Sequence, residues 1–479
     1  MGHVTGQSRD QLVLFPTTLN DAVSADHPVR VIDAFVESLD LAGLEFSKVE
    51  AEEMGRPPYA PGDLLKLYVY GYVNRVRSSR GLEREAKRNV EVMWLVRGLT
   101  PAFKTIADFR KDHPEAIVEV CRSFIRFCRG LSLVGGELIA IDGTKVEAVA
   151  SRKQVITPKS LEKTMADLDR KIAAHLAEMD AADRDERAES PAALDEAMVA
   201  KALQELREKR EKAQQQAAHL AGQGLSQLVL TEPDAKLMRT ARHGYQVAYN
   251  AQTVVDAQYK LIVAFDLTNE GNDQCQLHPM AVQGKQALEV EEVTAVADTG
   301  YSNGEHGERC ENDGITAIVP RAETVNTKGE HYFSRDQFTY DAASDTWRCP
   351  AGETLTCHEV SRTEQKKKYS TVACEGCCLK PQCTQAPRRT IVRHFYEDAR
   401  EAMHQRAASD PAWMKHRREI VEHPYGTMKW LMGYPRFLVR NLKKAKAELA
   451  LVVLGYNLKR VLNILGVPTV LRALQPLPS

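Results

Sequence analysis

The 479-residue chain reads as a mixed α/β protein on three observations. Apolar residues recur at helical spacing through residues 1–130, as in HPVRVIDAFVESLDL. Two short apolar runs then close on an aspartate, Asp142 in ELIAIDGTKVEA and Asp298 in VTAVADTGYSNGEH. A basic, helical C-terminal stretch follows, marked by HRREIVEHPYGTMK. A period near 3.6 marks helices, and short apolar runs bounded by turn residues mark strands. The length predicts about two to four structural units.

Composition narrows the class. Hydrophobic residues are 43% and charged residues 27%, as in a globular protein. No long uncharged apolar run predicts a membrane span. The opening MGHVTGQSRDQLVLF lacks the pattern of a secretory signal, so a cytoplasmic location is expected. The net charge of −1 alone argues against a nucleic-acid partner. Its distribution argues for one. From Arg388 to Ser479 there are 17 Lys and Arg against 7 Asp and Glu, and from Arg75 to Arg88 there are 6 against 2. Either run alone is read most simply as a solvated helix face; together they suit a DNA-binding surface beside a negative metal site.

In chain order, residues 1–130 form a helical N-terminal domain. Its helices are HPVRVIDAFVESLDL, the proline-led PPYAPGDLLKLYVYGYV, Gly81–Val96 and Thr105–Cys128. Arg80, Arg84 and Arg88, with Arg75 and Arg77, make it a DNA-end-binding domain or, nearly as readily, a plain structural bundle. Residues 131–479 carry the catalytic core. Its first strand, Leu138–Ile141, ends at Asp142. Residues 154–225 are a charged helical hairpin, split at Ser190–Leu194, that serves as a spacer or in dimerisation. Gly244–Asp256 and Lys260–Leu267 form a β-hairpin. A helix over Gln274–Leu288, a strand ending at Asp298 and a strand at Ile315–Pro320 complete the sheet. A cysteine-rich insert at 330–392 precedes the C-terminal helices, the last of them an amphipathic KAELALVVLGYNLKRVLNIL. This is the element order of a ribonuclease-H-like fold. There the first and fourth strands are neighbours, so Asp142 and Asp298 should converge.

Two strand-end aspartates and a helix glutamate, Glu422, can hold a pair of Mg2+ or Mn2+ ions. Such a pair activates water or a sugar hydroxyl against a phosphodiester. Glu419 and Glu448 are rivals for the third position. Six of the ten cysteines fall between Cys349 and Cys383. Clustering without a secretory signal points to a structural Zn2+ rather than disulfides. Cys349, Cys374, Cys377 and Cys383 are the expected ligands, with Cys357 and Cys378 as alternatives.

Taken together, DQLVLFP, PPYAPGDLLKLYVYGY, TIADFR, IAIDGTKVEA, GYQVAYNAQTVVD, VADTGY, EHPYGTMK and LGYNLKRVLNIL resemble a known family over nearly the whole chain. The resemblance is to DDE transposases of bacterial insertion sequences, of the IS-eleven-eighty-two type with a helical N-terminal domain and a cysteine-rich insert. That family's third-carboxylate signature is Tyr, two residues, Arg, three residues, Glu, six residues, Lys. Set on Glu422, it matches Arg418 and Lys429 and departs at Lys415, where the tyrosine would stand. The resemblance implies double-stranded DNA as partner, both the element's terminal inverted repeats and the target. It also implies strand cleavage and transfer, with at least a homodimer on paired ends. Arg418 and Lys429 would hold end phosphates. Tyr301 and Tyr425 are expected to pack or touch DNA rather than to attack. A nuclease of the same fold without strand transfer, and a binding-only protein that recognises inverted repeats, are the other two readings.

Overall fold

Proline starts three of the N-terminal helices in the computed structural model, which describes residues 18–50, 57–185, 196–240, 244–321, 332–431, 433 and 436–475. DQLVLFP, the N-terminal signal region and the Ser190–Leu194 split lie outside the described residues. The helices are α1 (Pro28–Glu37), α2 (Pro61–Val73), α3 (Ser79–Arg88), α4 (Val90–Leu95), α5 (Phe103–Asp112) and α6 (Pro114–Gly130). Proline suits a first turn because its missing N–H has no partner there and its φ is already helical. Two expected helices are each split in two. Asn89 is extended and its side chain accepts from Glu91 N, which ends α3 and caps α4. Pro114 separates α5 from α6, since the residue before a proline is pushed out of the helical region.

Next come β1 (Leu138–Glu147), β2 (Val155–Ile156), α7 (Pro158–Asp185), α8 (Glu196–Gly222), β3 (Leu228–Val229), β4 (Lys236–Thr240), β5 (Gly244–Asp256) and β6 (Ile262–Thr268). They are followed by α9 (Leu277–Leu288), β7 (Val293–Val296), α10 (Gly304–Asn312) and β8 (Ile315–Ile318). β6 pairs with β5, β5 with β1, β1 with β7 and β7 with β8. The first two pairings are antiparallel and the last two parallel. This mixed sheet, with helices before it, has ribonuclease-H-like topology. α7 and α8 pack along each other around Leu161, Ala213 and Leu220, above a short β2–β3 ladder.

Between β8 and the C-terminal helices stands a separate antiparallel sheet. Its strands are β9 (Thr339–Asp341), β10 (Thr346–Arg348), β11 (Thr354–Ser361), β12 (Lys366–Ser370) and β13 (Ile391–His394). Phe338, Trp347, Leu355, Tyr369 and Ile391 form its own small core. The chain ends in α11 (Glu397–Ser409), α12 (Ala412–Gly426), α13 (Leu442–Leu465) and α14 (Val467–Leu474).

α13 departs from the expected amphipathic terminal helix. It is buried on every face from Ala447 to Leu458, and α14 follows it. A helix that is apolar all round belongs inside. It packs against α2 and α6 and also against β6, so N-terminal helices and sheet share one continuous core. Its buried polar groups are matched: Asn457 bonds the backbone N–H and C=O of Ile262 at 3.0 and 2.8 Å. Among the described residues no single helix is long and apolar enough to cross a membrane; α13 and α14 reach that length only as a pair bent by 110°.

Candidate catalytic site

The parallel pairing of β1 with β7 stops at Ala140 opposite Val296. Asp142 and Asp298 each lie two residues beyond that last pair, so they stand level. β1 itself does not end at Asp142, as its apolar run suggested. It continues to Glu147 along β5, with Asp142 opposite Thr253. The strand that ends is β7. There the Asp298 carboxylate accepts from Gly300 N at 2.8 Å and caps the tight turn Thr299–Tyr301.

Arg417 of α12 joins the two acids. Its Nη2 donates to Asp142 Oδ1 at 2.7 Å and to Asp298 Oδ2 at 3.2 Å. The Asp298 side chain is 45% exposed, that of Asp142 only 20%. Burial pushes the Asp142 carboxyl up to about 6; Arg417 pulls it down, while Asp298 and Asp273 push it further up. Tyr425 holds the backbone here, its OH donating to Asp142 O at 2.7 Å and accepting from Thr253 Oγ1 at 2.9 Å. Tyr301 is also buried, with its OH donating to Gln252 Oε1. Burial drives both phenols well above their ordinary range.

Glu422 does not join the aspartates. It is exposed, five residues past Arg417 and hence about 140° around α12 from it. Among the described residues no three His, Cys, Asp or Glu side chains are arranged to hold a metal ion. Its rival Glu419 is exposed beside Lys415 and His416. Glu448 is fully buried against Arg77 at 2.8 Å and is a structural acid. Arg418 is exposed, its Nε donating to Met414 O within the helix at 3.3 Å. Lys429 does reach the site. α12 runs through Pro424, ends at Gly426 and widens into a π-helical turn over Thr427–Leu431. That turn sets the Lys429 ammonium on Thr144 Oγ1, two residues along β1 from Asp142.

On α3, Arg80 lies over the Phe103 ring at 5.0 Å, Arg84 is exposed, and Arg88 donates to Glu85 Oε1 at 3.0 and 2.6 Å. In the small sheet, Cys349, Cys374, Cys377 and Cys383 line one apolar cavity with Phe338 and Leu355. Burial raises the Cys383 thiol, Arg389 lowers it, and the other three thiols raise it again. Cys357 turns instead to Glu359 O at 3.7 Å, and Cys378 is exposed.

Sequence reasoning missed two features. One is Arg417: in the doublet Arg417–Arg418, only the packed helix shows which arginine faces the sheet. The other is Asp273, in the loop before α9. Its Oδ1 accepts from Asn250 Nδ2 at 2.6 Å and Gln252 Nε2 at 2.7 Å, and Lys145 Nζ lies 3.2–3.3 Å from its two oxygens. The signal was present in GYQVAYNAQTVVD. Two amides at i and i+2 on one face of an otherwise apolar strand must meet a polar partner when buried.

The transposase domain (DUF772) family matches residues 17–112, and the transposase DDE domain family matches residues 348–462. Arg80, Arg84 and Arg88 fall in the first segment. Glu422, Arg418, Lys429 and the four cavity cysteines fall in the second, and Asp142 and Asp298 lie between the two. No curated protein matches the chain. The cryo-EM structure of a piggyBac transposase synaptic complex with hairpin DNA is similar over 92% of this chain and 76% of that one, at 7% identity and a TM-score of 0.33. That likeness is too distant to carry an argument. A transposase domain among the N-terminal helices and a transposase DDE domain toward the C-terminus are therefore both present in this one chain.

Proposed function

We propose that this protein is a DNA transposase that binds the terminal inverted repeats of an insertion sequence and cuts and joins strands with divalent metal. The observation that carries the reading is the level pair Asp142 and Asp298, on neighbouring parallel strands and sharing one guanidinium. That guanidinium is a cation standing where two hard carboxylate donors converge, and such donors suit Mg2+ or Mn2+. Asp142 and Asp298 would be the first two ligands, and Glu422, which faces away from them on α12, would become the third on a turn of that helix toward the sheet. Two ions bound there would supply the Lewis acidity that readies the attacking water or 3′-hydroxyl and steadies the leaving oxygen.

The chain's own residues do the positioning. Tyr425 fixes the backbone at Asp142. Lys429 beside Thr144, and Arg418 on the exposed face of α12, hold end phosphates. Arg80, Arg84 and Arg88 extend the DNA grip along α3, and a homodimer or larger assembly pairs the two ends. Cys349, Cys374, Cys377 and Cys383, which line one cavity, would supply four soft thiol donors to one structural Zn2+ on closing around it.

The test is cleavage of labelled DNA bearing the element's ends, with Mg2+. Wild type should yield nicked and joined products, and Asp142→Asn or Asp298→Asn should lose both by about 10³-fold, several kcal/mol of barrier. Cleavage without joining would favour the simple nuclease. Binding without cleavage would favour the recognition protein. Metal analysis of purified protein should find about one equivalent of zinc, lost in Cys374→Ser.

A further inference from the structure

Where α13 emerges from the core, the surface carries cations without acids. Lys459 and Arg460 directly follow its enclosed stretch. From Leu449 to the end of the chain there is no Asp or Glu, and there is none from Leu64 to Leu82, around Arg75. Arg75, just past the end of α2, and His423 of α12 are exposed; Lys260, Lys459 and Arg460 are half-buried.

Hydrogen bonds join these groups into one surface. Arg460 Nε donates to Tyr259 O at 2.8 Å, in the turn between β5 and β6. Tyr456, one turn earlier on α13, donates its OH to Lys260 O at 2.6 Å and meets His423 Nδ1 at 2.9 Å. The cations crowd one another. Burial lowers the Lys459 ammonium, and Arg75 beside it lowers it further. Burial lowers His423, and Arg460 and Lys260 act in the same direction. Asp256, the acid of the β5–β6 turn, gives no relief. It is buried, and its carboxylate accepts from the backbone N–H groups of Gly135, Gln258 and Tyr259. Among the described residues no carboxylate forms an ion pair with Arg75, Lys260, Lys459 or Arg460. Like charges held together raise the free energy of the protein alone, and an anion lowers it. Four such cations spread over a helix end, a turn and a second helix suit a polyanion better than a single small ion.

We propose that Arg75, Lys260, Lys459 and Arg460 form a docking surface for the phosphate backbone of double-stranded DNA, separate from the aspartate pair. This rests on the DNA-binding part of the reading above and not on metal or cleavage. His423 ties the surface to α12, so DNA seated here lies beside the helix that carries Arg418 and Glu422.

The test is binding of the full chain to a labelled DNA duplex of unrelated sequence, without divalent metal, across a salt series. Arg75→Asn, Lys260→Asn and Lys459→Gln together should make the salt slope shallower by about three units, one for each lost phosphate contact. Asparagine suits the left-handed backbone at Arg75 and Lys260, where φ is 66° and 60°. Arg75→Asn alone, at an exposed side chain, should remove about one unit, which decides the question even if the triple variant folds poorly. An unchanged slope in both variants would overturn the proposal. A loss of slope confined to an RNA duplex would overturn the assignment to DNA. Wild type that binds no duplex would overturn this surface and the DNA-binding reading together. Wild type that binds with the expected loss in the variants, yet cuts no DNA, would sink the transposase reading and leave this surface standing.

Discussion

Two arginine–carboxylate clusters in this molecule have opposite designs. Arg77, just before α3, donates to Glu448 Oε1 at 2.8 Å and to the backbone carbonyls of Arg436, at 2.6 Å, and Gly433. The other oxygen of Glu448 accepts from Leu438 N at 2.8 Å. The pair is buried and balanced one to one, and it clips the N-terminal helices to the loop leading into α13. Arg417 instead faces two acids, with a third close by, at a site where one acid is nearly half exposed. A closed, balanced pair holds structure in place. An open one, in which a single guanidinium bridges two carboxylates, is where the proposed function would seat a different cation.

Breaking each cluster should therefore give opposite signs. Glu448→Ala should cost about 3–5 kcal/mol, because it strands a buried guanidinium; a denaturant titration reads this. Asp142→Asn should leave stability unchanged or raise it at neutral pH. The folded carboxyl lies at about 6, above its ordinary 3.8, so the ionised form is the one the fold disfavours. The stability it contributes is present below pH 3.8 and is lost as pH rises toward 6. A melting curve of Asp142→Asn that falls as far as that of Glu448→Ala would erase the distinction between the clusters.

A smaller effect is expected from the cations at the rim. Lys429→Ala and Arg418→Ala should each make the salt dependence of end binding shallower by about one unit of slope, with stability unchanged. Filter or fluorescence binding across a salt series measures this. An unchanged slope in the double variant would place the DNA grip elsewhere, with α3 the next surface to mutate.

The smallest effect concerns His404, which packs behind the site with its Nε2 on Ser302 Oγ at 2.9 Å. Burial lowers it to about 4, and the nearby Arg400 and Arg321 act in the same direction. It folds neutral, so its contribution is full above pH 6.5 and is lost as pH falls from 6.5 toward 4. His404→Gln should flatten that part of the stability profile. An equally steep acid limb in the variant would shift the cause to another group.

Much of this arrangement was legible in the chain. Apolar periodicity located the helices up to Gly130, because burying one face requires apolar residues at regular intervals. The same logic located β5, β6, β7 and β8 to within a few residues. Asp142 and Asp298 stood out because each closes an apolar run, and the sheet order sets them level. The cysteine spacing singled out the four thiols that share one cavity. The sequence could not decide which side of a helix faces the sheet. That choice turned α12 so that Arg417, not Glu422, meets the aspartates. Nor could it show that α13 is enclosed on all sides, since an apolar stripe and an apolar cylinder differ only in what packs against them. Asp273 joins the site through a loop, held by amides from a strand more than twenty positions earlier. Such a contact is made by chain folding in three dimensions, and no local periodicity encodes it.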